Sequence, residues 1–267
     1  MFLYKLGIIG AGNMSNAITR GILAGGVLKP SEVIVSDIDA KKLEGLKAEG
    51  FAVTSDNGEA ASRSKSLLFA VKPQCFKEAA DGVRPCLAAR SVISIMAGIS
   101  TAALRQAFGD SVGLCRIMPN TPCVIGRGIS ALTFVNYSAA DKAFVFDIFD
   151  KLGETVELPE EKFDAVTAVS GSGPAYVYTF LDAVIKGGVK NGLTEDEAKR
   201  LAVSVFKGAA ELAALSDKPL DALIKDVTSK GGTTEAALNA FAKNGVADGI
   251  TEGVSAAAAR SKELGGR

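Results

Sequence analysis

The sequence predicts an α/β fold, in which an N-terminal domain built on a parallel sheet is followed by an all-α C-terminal domain. Short apolar runs alternate with helical patterns in the first half of the chain, and a glycine-rich turn directly follows the first of these runs. The strand pattern stops at Leu158–Pro159, after which apolar and alanine-rich helical segments continue towards the C-terminus. We therefore expect two domains, at residues 1–159 and 160–267.

The composition favours a small-molecule partner. The chain has 267 residues, of which 48% are hydrophobic, and its 30 basic residues balance 30 acidic ones. Because no long run of like charges builds a positive field, we expect neither a nucleic-acid partner nor a membrane surface. The first apolar run is broken by Lys5 and is too short to span a membrane, so the cytoplasm is the expected location.

The residue types exclude several kinds of active site. The chain contains no histidine, which removes the Ser-His-Asp and Cys-His arrangements and most zinc sites. Its four cysteines, Cys75, Cys86, Cys115 and Cys123, have no C-x-x-C spacing and are expected to be buried free thiols. We therefore expect no metal site and a reaction that needs no imidazole.

A strand, a glycine turn and an amphipathic helix open the chain. The apolar run Tyr4–Ile9 leads into GAGNM, and Met14, Ile18 and Ile22 then recur with a spacing of four. Apolar residues at this spacing predict a helix with one buried face.

The turn has the form Gly10-x-Gly12-x-x-Ser15, a G-x-G-x-x-G motif whose third glycine is replaced by another small residue. Gly10 permits the tight turn, and Gly12 lets the backbone approach a pyrophosphate. Unpaired N–H groups at the start of the helix, where Asn13 and Met14 lie, favour the anion. The motif therefore predicts a dinucleotide site at Gly10, Gly12, Asn13 and Met14.

Further apolar segments extend this unit into a sheet. They are EVIVSDID, which ends at Ser36–Asp37, and the runs Phe51–Val53, Ser66–Val71, Ser91–Met96 and Val112–Met118. Apolar runs separated by helical patterns are typical of a parallel sheet covered on both faces. Together with the glycine motif, they predict a Rossmann-type dinucleotide-binding domain.

Ser36 and Asp37 end the second strand, where the adenosine of a dinucleotide is expected. A carboxylate at this position accepts hydrogen bonds from the ribose diol and repels a 2′-phosphate, which favours NADH over NADPH. Alternatively, Asp37 is a turn acid or N-cap that opens the next helix. That helix carries Lys41 and Lys42, which could neutralise a 2′-phosphate, so the sequence leaves both NADH and NADPH open.

Residues after the fourth and fifth strands are also expected to line the cofactor, because ligands of open α/β sheets bind beyond the carboxyl ends of the strands. They are Val71, Lys72 and Pro73 after the fourth strand, and Ala97 and Gly98 after the fifth. As alternatives, Lys72 is a solvated charge and Gly98 a plain turn glycine.

The C-terminal domain is predicted to be helical. Thr194 is an N-cap followed by acidic residues, and Asp217 with Pro219 marks a later break. The segment Ala175–Val189 is apolar on nearly all sides, so it must be buried on more than one side. A buried core helix is one explanation, and a dimer interface built from helical hairpins is the one we favour.

Two glycine-containing stretches, SGSGPA at Ser170–Ala175 and TSKGGTT at Thr228–Thr234, are expected to be loops. Interior glycine and proline destabilise a helix by about 1 and 3 kcal/mol relative to alanine. The second loop opens the next helix, so its N–H groups and hydroxyls are expected to hold a small carboxylate. A helix-capping loop with Glu235 nearby is the alternative.

Taken together, these motifs resemble the pyrroline-5-carboxylate reductase family. The stretch Pro219–Leu238 is similar to the family's signature, and GIIGAGNM, FAVKPQ, RIMPNTP and SGSGPAYVY resemble further family motifs. They occur in the family's order and span essentially the whole chain. Lys230 departs from the pattern, because relatives commonly carry proline between the serine and the glycine pair.

The resemblance implies reduction of the cyclic imine (S)-1-pyrroline-5-carboxylate to L-proline with a hydride from NADPH or NADH, the last step of proline biosynthesis. It also implies a homodimer in which each active site is completed across the helical interface. Many relatives assemble five such dimers into a decamer.

The resemblance also implies roles for individual residues. Those implied to hold the substrate carboxylate are Ser229, Gly231, Gly232 and Thr233. Thr234 would place its hydroxyl near the ring nitrogen, as the catalytic residue. Asn57 and the turn Val71–Pro73 would contact the cofactor.

Two other functions compete with this one. A β-hydroxyacid or 6-phosphogluconate type dehydrogenase also joins a Rossmann-type domain to helices, but it uses a lysine near the start of the helical domain, where this chain has SGSGP. A nucleotide-sensing protein would bind NAD(H) without reducing an imine, and the intact TSKGGTT loop argues against it.

Overall fold

The structure, a computed structural model that describes residues 2–266, divides into two compact units. The first consists of residues 2–172 with 257–266, and the second of residues 173–256. The chain just after the boundary expected at residue 159 thus belongs to the first unit. Phe163 is fully buried there, and Ser261 Oγ donates a hydrogen bond of 2.8 Å to Asp164 Oδ1, which ties the C-terminal segment to the same unit.

An eight-stranded sheet forms the core of the first unit. Its strands are β1 (Tyr4–Ile9), β2 (Val33–Ser36), β3 (Ala52–Thr54), β4 (Ser64–Phe69), β5 (Ser91–Ser94), β6 (Gly113–Met118), β7 (Gly128–Val135) and β8 (Gly153–Glu157). Their order across the sheet is β3-β2-β1-β4-β5-β6-β7-β8. All neighbours are parallel except β6 and β7. Since β2 and β4 lie on opposite sides of β1, the order reverses between β1 and β4.

The first six strands confirm the predicted sheet, and β7 and β8 extend it. β7 returns antiparallel to β6 after the turn at residues 119–127, which contains two prolines and a glycine. β8 (GETVE) holds two glutamates and a glycine and has no buried residue. Without a continuous apolar run, it does not show the pattern of a buried parallel strand.

Helices cover both faces of this sheet. They are α1 (Asn13–Gly25), α2 (Ala40–Ala48), α3 (Asn57–Arg63), α4 (Phe76–Val83), α5 (Thr101–Phe108) and α6 (Ala139–Phe149). α1, α2 and α6 share one hydrophobic core with Ile8 and Val35, and α3, α4 and α5 share another with Ile9 and Ile34. Successive strand residues point to opposite faces, which explains why Ile8 and Ile9 belong to different cores.

The chain after β8 is helical, as predicted. The helices are α7 (Phe163–Val166), α8 (Gly173–Lys190), α9 (Glu195–Leu215), α10 (Leu220–Asp226), α11 (Thr233–Lys243) and α12 (Val246–Leu264). Thr194 caps α9 through a reciprocal pair of hydrogen bonds with Glu197. Pro219 precedes α10, in agreement with the predicted break.

The prediction of a loop at SGSGPA is wrong. Thr167–Gly171 form a π-helical turn, and α8 begins at Gly173. The hydroxyls of Thr167 and Ser170 donate hydrogen bonds to backbone carbonyls one turn earlier, and Pro174 lies in the first turn of α8, where a missing N–H does no harm. These residues therefore shape a wide helical turn instead of a loop.

The second unit leaves large apolar surfaces exposed. No residue of α8 is buried, and on α9 only Ala198 and Ala202 are. Exposed apolar side chains of these two helices include Val177, Tyr178, Val184, Leu201, Val205 and Leu212. Apolar surface of this extent marks an interaction site. In the part of the chain that the structure describes, no helix combines the length and hydropathy needed to cross a membrane.

Candidate active site

A cleft opens beyond the carboxyl ends of β1 and β4, where the strand order reverses. Ligands of doubly wound sheets bind at this point of the topology. The cleft has a volume of about 280 Å³. The predicted cofactor residues that line it are Gly10, Gly12, Ser36, Asp37, Asn57, Val71 and Lys72.

The two positions of the turn are occupied by glycine for different structural reasons. Gly10 has a φ of 101°, and a Cβ at this position would lie 2.9 Å from the carbonyl oxygen of Ala70. Gly12 has an ordinary φ of −84°, and a Cβ there would meet nothing within 4 Å. Gly10 is therefore required by the protein itself, whereas the space beside Gly12 is open to a ligand.

The start of α1 fits a phosphate. Gly12 is its N-cap, and no side chain caps the N–H groups of its first turn. Such N–H groups, together with the positive end of the helix dipole, stabilise an anion. With the open space at Gly12 and the switch-point cleft, these residues fit a bound dinucleotide.

Asp37 is buried in the wall of the cleft and holds the glycine turn in place. Its Oδ2 accepts a hydrogen bond of 2.7 Å from the N–H of Ala11, and its Oδ1 accepts one of 2.9 Å from the N–H of Asp39. Lys42 Nζ lies 3.4 Å from Oδ1. Although burial alone would raise the pKa of Asp37, these hydrogen bonds and the lysine lower it below its ordinary value, so the carboxylate is charged near neutral pH.

Both interpretations of Asp37 therefore have a counterpart in the structure. It lines the cleft as a ribose-binding acid would, and it is a turn acid for the chain that follows β2. The N-cap of α2 is Asp39, whose side chain accepts from the N–H of Lys41 at 3.1 Å. Of the two lysines on that helix, Lys42 lines the cleft and Lys41 does not.

Asn57 is held at the start of α3 by the end of β2. Ser36 Oγ donates a hydrogen bond of 2.6 Å to Asn57 Oδ1. Within the described residues the side-chain N–H groups of Asn57 make no hydrogen bond, so they are available to a ligand in the cleft.

Five predicted cofactor residues do not line this cleft, namely Asn13, Met14, Pro73, Ala97 and Gly98. Asn13 is the first residue of α1, and the side chain of Met14 packs against the hydrophobic core. Ala97 and Gly98 follow β5, which neighbours β4, so they lie at the same edge of the sheet. Gly98 has a φ of 78°, as a turn glycine does.

The residues that line the cleft and that the sequence interpretation missed are Ile9, Ile38, Ala70, Cys75, Glu78 and Ala79. Cys75 and Glu78 lie in the turn and helix that follow β4, so extending the expectation at Val71–Pro73 by five residues would have found them. The expectation of buried thiols holds for Cys115 and Cys123 but is wrong for Cys75 and Cys86, which are exposed. Both exposed thiols lie in short helical turns next to α4, outside the sheet. Within residues 2–266, no acidic or cysteine cluster could hold a metal ion.

The TSKGGTT loop leads into α11 and is a separate candidate site in the second unit. Gly231 has a φ of 73°, and Gly232, with an extended backbone, is the N-cap of α11. A Cβ on Gly232 would lie 2.4 Å from Ser229 Oγ, so glycine is required for the serine to approach. No side chain caps α11.

The backbone donors of this loop are unequally available. The N–H of Gly231 donates to Glu235 Oε2 at 2.7 Å, and that of Gly232 donates to the carbonyl of Ser229 at 3.0 Å. Among the described residues, the N–H groups of Thr233 and Thr234 have no partner, and neither do the hydroxyls of Ser229, Thr233 and Thr234. The free N–H groups thus lie at the start of the helix, directly after the glycine pair.

Two family models match the chain. Residues 160–264 match the model described as pyrroline-5-carboxylate reductase dimerisation. Residues 5–98 match the model described as NADP oxidoreductase, coenzyme F420-dependent.

Relatives match over nearly the full length. The pyrroline-5-carboxylate reductase of Synechocystis sp. is 41% identical over 98% of each chain. That of Pisum sativum is 35% identical over 98% of this chain and 96% of its own. The crystal structure of pyrroline carboxylate reductase from Plasmodium falciparum with NADP bound has a TM-score of 0.91 at 33% identity and covers 99% of both chains. This chain therefore belongs to the pyrroline-5-carboxylate reductase family, whose members reduce (S)-1-pyrroline-5-carboxylate to L-proline with a hydride from NAD(P)H.

Proposed function

We propose that this chain performs that reduction with the dinucleotide held in the cleft at the β1–β4 switch point. The observation that carries the proposal is the pair of glycines in the first turn. Gly10 is closed off by Ala70, while Gly12 leaves open space beside the uncapped start of α1. When bound, the cofactor supplies the hydride, and the residues of the chain supply orientation and electrostatics.

NADH is the proposed preferred cofactor. The charged carboxylate of Asp37 faces the position expected for the adenosine ribose and would repel a 2′-phosphate. Lys42, which lies 3.4 Å from that carboxylate, moderates the repulsion and would allow NADPH as a second cofactor. Ser36 supports the same wall by holding Asn57.

The start of α11 is the proposed binding site for the substrate carboxylate. The N–H groups of Thr233 and Thr234 and the hydroxyl of Ser229 are its proposed donors, because they have no partner among the described residues. Gly231 and Gly232 shape the loop, and their N–H groups would join the site once Glu235 and the Ser229 carbonyl release them.

Thr234 is the proposed catalytic residue, with its hydroxyl hydrogen-bonded to the ring nitrogen of the imine. A protonated imine is already electrophilic, so the reaction needs a held carboxylate, an oriented ring and the exclusion of water more than a strong acid. A chain without histidine can meet these requirements.

The proposed assembly is a homodimer formed by the helices of residues 160–264, with a decamer of five dimers as its larger form. The exposed apolar side chains of α8 and α9 support this proposal, because a second copy would bury them. The cytoplasm is the proposed location, and the four free thiols are in keeping with a reducing compartment.

The proposal is tested by following the absorbance of NADH and NADPH in the presence of purified protein, with and without pyrroline-5-carboxylate. We expect imine-dependent oxidation of both cofactors, with a higher kcat/KM for NADH. Oxidation with neither cofactor, by protein shown to be folded and oligomeric, would refute the reductase and favour a nucleotide sensor. A higher kcat/KM for NADPH would refute only the preference.

A further inference from the structure

Arg116 is a buried cation that the proposed function leaves without a role. It lies on β6, beside β5, and its side chain is only 2% exposed. Its Nη1 lies 2.9 Å from Glu160 Oε1, and its guanidinium lies over the ring of Phe163, 4.7 Å from the centroid. A buried charge is costly unless it is paired and hydrogen-bonded, and here the carboxylate and the ring offset that cost.

Glu160 connects this cation to the loop that follows β5. Its Oε1 accepts a hydrogen bond of 2.8 Å from the N–H of Thr101, and its Oε2 accepts a second from the Thr101 hydroxyl. Burial would raise the pKa of Glu160, but the hydrogen bonds from Thr101 and Arg116 lower it below its ordinary value. The charged carboxylate thus holds the first residue of α5, where the loop ends.

The same loop also lies against the end of α12. Gly98 lies in the loop with a φ of 78°, and a Cβ on it would come within 3.5 Å of the carbonyl oxygen of Leu264. One turn earlier, the hydroxyl of Ser261 donates to Asp164, which follows Phe163 on α7. The loop is therefore contacted from two sides, by Glu160 at Thr101 and by Leu264 at Gly98. The Arg116–Glu160 pair forms the first of these contacts.

The tip of the loop, Ala97 and Gly98, is not anchored by its own side chains. Ala97 is exposed and Gly98 has no side chain, so packing of the loop's own residues at this point contributes little. Its path depends on Met96 and Ile99, which pack in the hydrophobic core on either side of the tip, and on Thr101, which is hydrogen-bonded to Glu160. A displacement of the Arg116–Glu160 pair would therefore move the end of the loop at Thr101.

We propose that Arg116 and Glu160 are positioning residues, which fix the loop of Ala97 and Gly98 so that the reacting ring of the cofactor is aligned for hydride transfer. This inference rests on the proposed function and on the expectation from the sequence that the residues after β5 contact the cofactor. The physical reason is that hydride transfer requires the reacting atoms at near-attack distance, and a misplacement of about 1 Å can cost about 10²-fold in rate.

The test compares Glu160→Ala and Glu160→Gln with the wild-type holoenzyme. Glu160→Ala releases Thr101 and leaves Arg116 unpaired, so we expect kcat to fall about 10²-fold. The KM for NADH and the affinity for ADP-ribose, which probes the adenosine half of the cleft, should stay within about twofold, since Asp37 and the glycine turn are unchanged. Glu160→Gln retains an oxygen acceptor for Thr101 and should recover much of the loss.

The decisive measurement is the primary deuterium isotope effect on kcat, with NADH deuterated at the transferred position. If Glu160 positions the ring, hydride transfer becomes slower relative to other steps, and the isotope effect rises in Glu160→Ala. A loss of folded protein alone would lower the apparent kcat without changing the isotope effect, and that result would overturn the inference. An unchanged kcat would overturn it as well.

Glu157→Ala is the matched control. Glu157 on β8 accepts a hydrogen bond of 2.6 Å from Lys142, which lies 4.7 Å from the centroid of the Phe134 ring. This carboxylate, cation and ring repeat the arrangement at Glu160, but Glu157 lies on β8, the last strand of the sheet, which is three strands from β5. We expect its kcat and isotope effect to match those of the wild type, and an equal change in both variants would refute a specific role for Glu160. Wild-type protein without imine-dependent activity would refute the proposed function itself, and this inference with it.

Discussion

At the scale of single residues, the hydroxyls of Ser229, Thr233 and Thr234 have no hydrogen-bond partner among the described residues, and Thr234 is the residue proposed to contact the ring nitrogen. We expect Thr234→Ala to lower kcat about 10²-fold, as is typical for the loss of a group that handles a proton, with little change in NADH affinity. Thr234→Ser retains the hydroxyl and should keep most of the activity. Steady-state kinetics measure both, and an unchanged kcat in Thr234→Ala would remove this residue from the mechanism.

Asp37 gives a prediction about cofactor choice. Replacing it with serine removes the charge that would repel a 2′-phosphate and releases Lys42 from its ion pair. We therefore expect Asp37→Ser to shift the ratio of kcat/KM towards NADPH. Because Asp37 also holds the N–H of Ala11, the absolute kcat/KM should fall with both cofactors. If the ratio stays constant while both values fall, Asp37 acts only on the glycine turn.

Lys41 and Lys42 allow a controlled test of the same cofactor preference. Lys42 lines the cleft and Lys41, its neighbour on α2, does not. We expect Lys42→Gln to raise the KM for NADPH about tenfold, or about 1.4 kcal/mol, and to affect NADH less. Lys41→Gln should leave both constants near their wild-type values. Equal effects of the two variants would indicate a general electrostatic attraction of the phosphate rather than a contact with Lys42.

Single residues also show where sequence reasoning ends. The position of Asp37 after a buried strand was enough to predict that it faces the cofactor cleft. Its hydrogen bond to Ala11 was not predictable, because it joins residues that follow two different strands, whose spacing depends on the packed sheet. The hydrogen bond from Gly231 to Glu235 depends on the rotamer of one side chain, which the sequence does not give. Because this bond occupies the N–H of Gly231, the free N–H groups are those of Thr233 and Thr234.

At the scale of elements, the two glycines of the turn between β1 and α1 are expected to affect different properties, Gly10 the stability of the fold and Gly12 the binding of the cofactor. Gly10→Ala combines a φ of 101° with a close approach to Ala70, so it should destabilise the fold by at least about 1–2 kcal/mol. Gly12→Ala places its Cβ in open space with an ordinary φ, so it should leave the melting temperature nearly unchanged while weakening NADH binding. Thermal unfolding and NADH titration of the two variants measure the difference. If Gly12→Ala binds NADH normally, the pyrophosphate does not lie beside Gly12.

The elements that the sequence predicted well share a physical property. β1 to β6 lie inside a sheet covered on both faces, so most are nearly continuous apolar runs that periodicity detects. β8 is half exposed and carries charged residues, which hides it from the same test. At SGSGPA, glycine and proline were interpreted as breaking a helix, but two hydroxyls that donate to the preceding turn allow a π-helical turn there.

At the scale of the whole molecule, the fold class follows from the order of element types, whereas the limits of the compact units do not. Residues 160–172 and 257–266 have the composition of the helical region but pack with the first unit. They do so through contacts between residues far apart in the chain, such as Glu160 with Arg116 and Ser261 with Asp164. Local periodicity contains no information about such pairs.

The apolar faces of the second unit lead to a prediction about assembly. Leu201, Val205 and Leu212 share one face of α9 through spacings of four and seven residues, and all three are more than half exposed in a single chain. If this face forms the homodimer, Val205→Glu would place a charge in an apolar interface, where it lacks a partner. We expect the dimer dissociation constant to rise at least about 10²-fold, which corresponds to about 2.8 kcal/mol. Sedimentation velocity over a range of concentrations measures this change.

Lys207→Glu is the control, because Lys207 is exposed on the opposite face of α9 and receives the same new side chain. Glutamate is a better helix former than valine, so weaker association of Val205→Glu cannot be attributed to a less stable α9. We expect Lys207→Glu to sediment as the wild type does, and Val205→Glu to shift towards the monomer and lose thermal stability as its apolar faces are uncovered. If both variants sediment like the wild type, the Leu201–Val205–Leu212 face lies outside the interface, and the exposed side chains of α8 become the surface on which dimerisation depends.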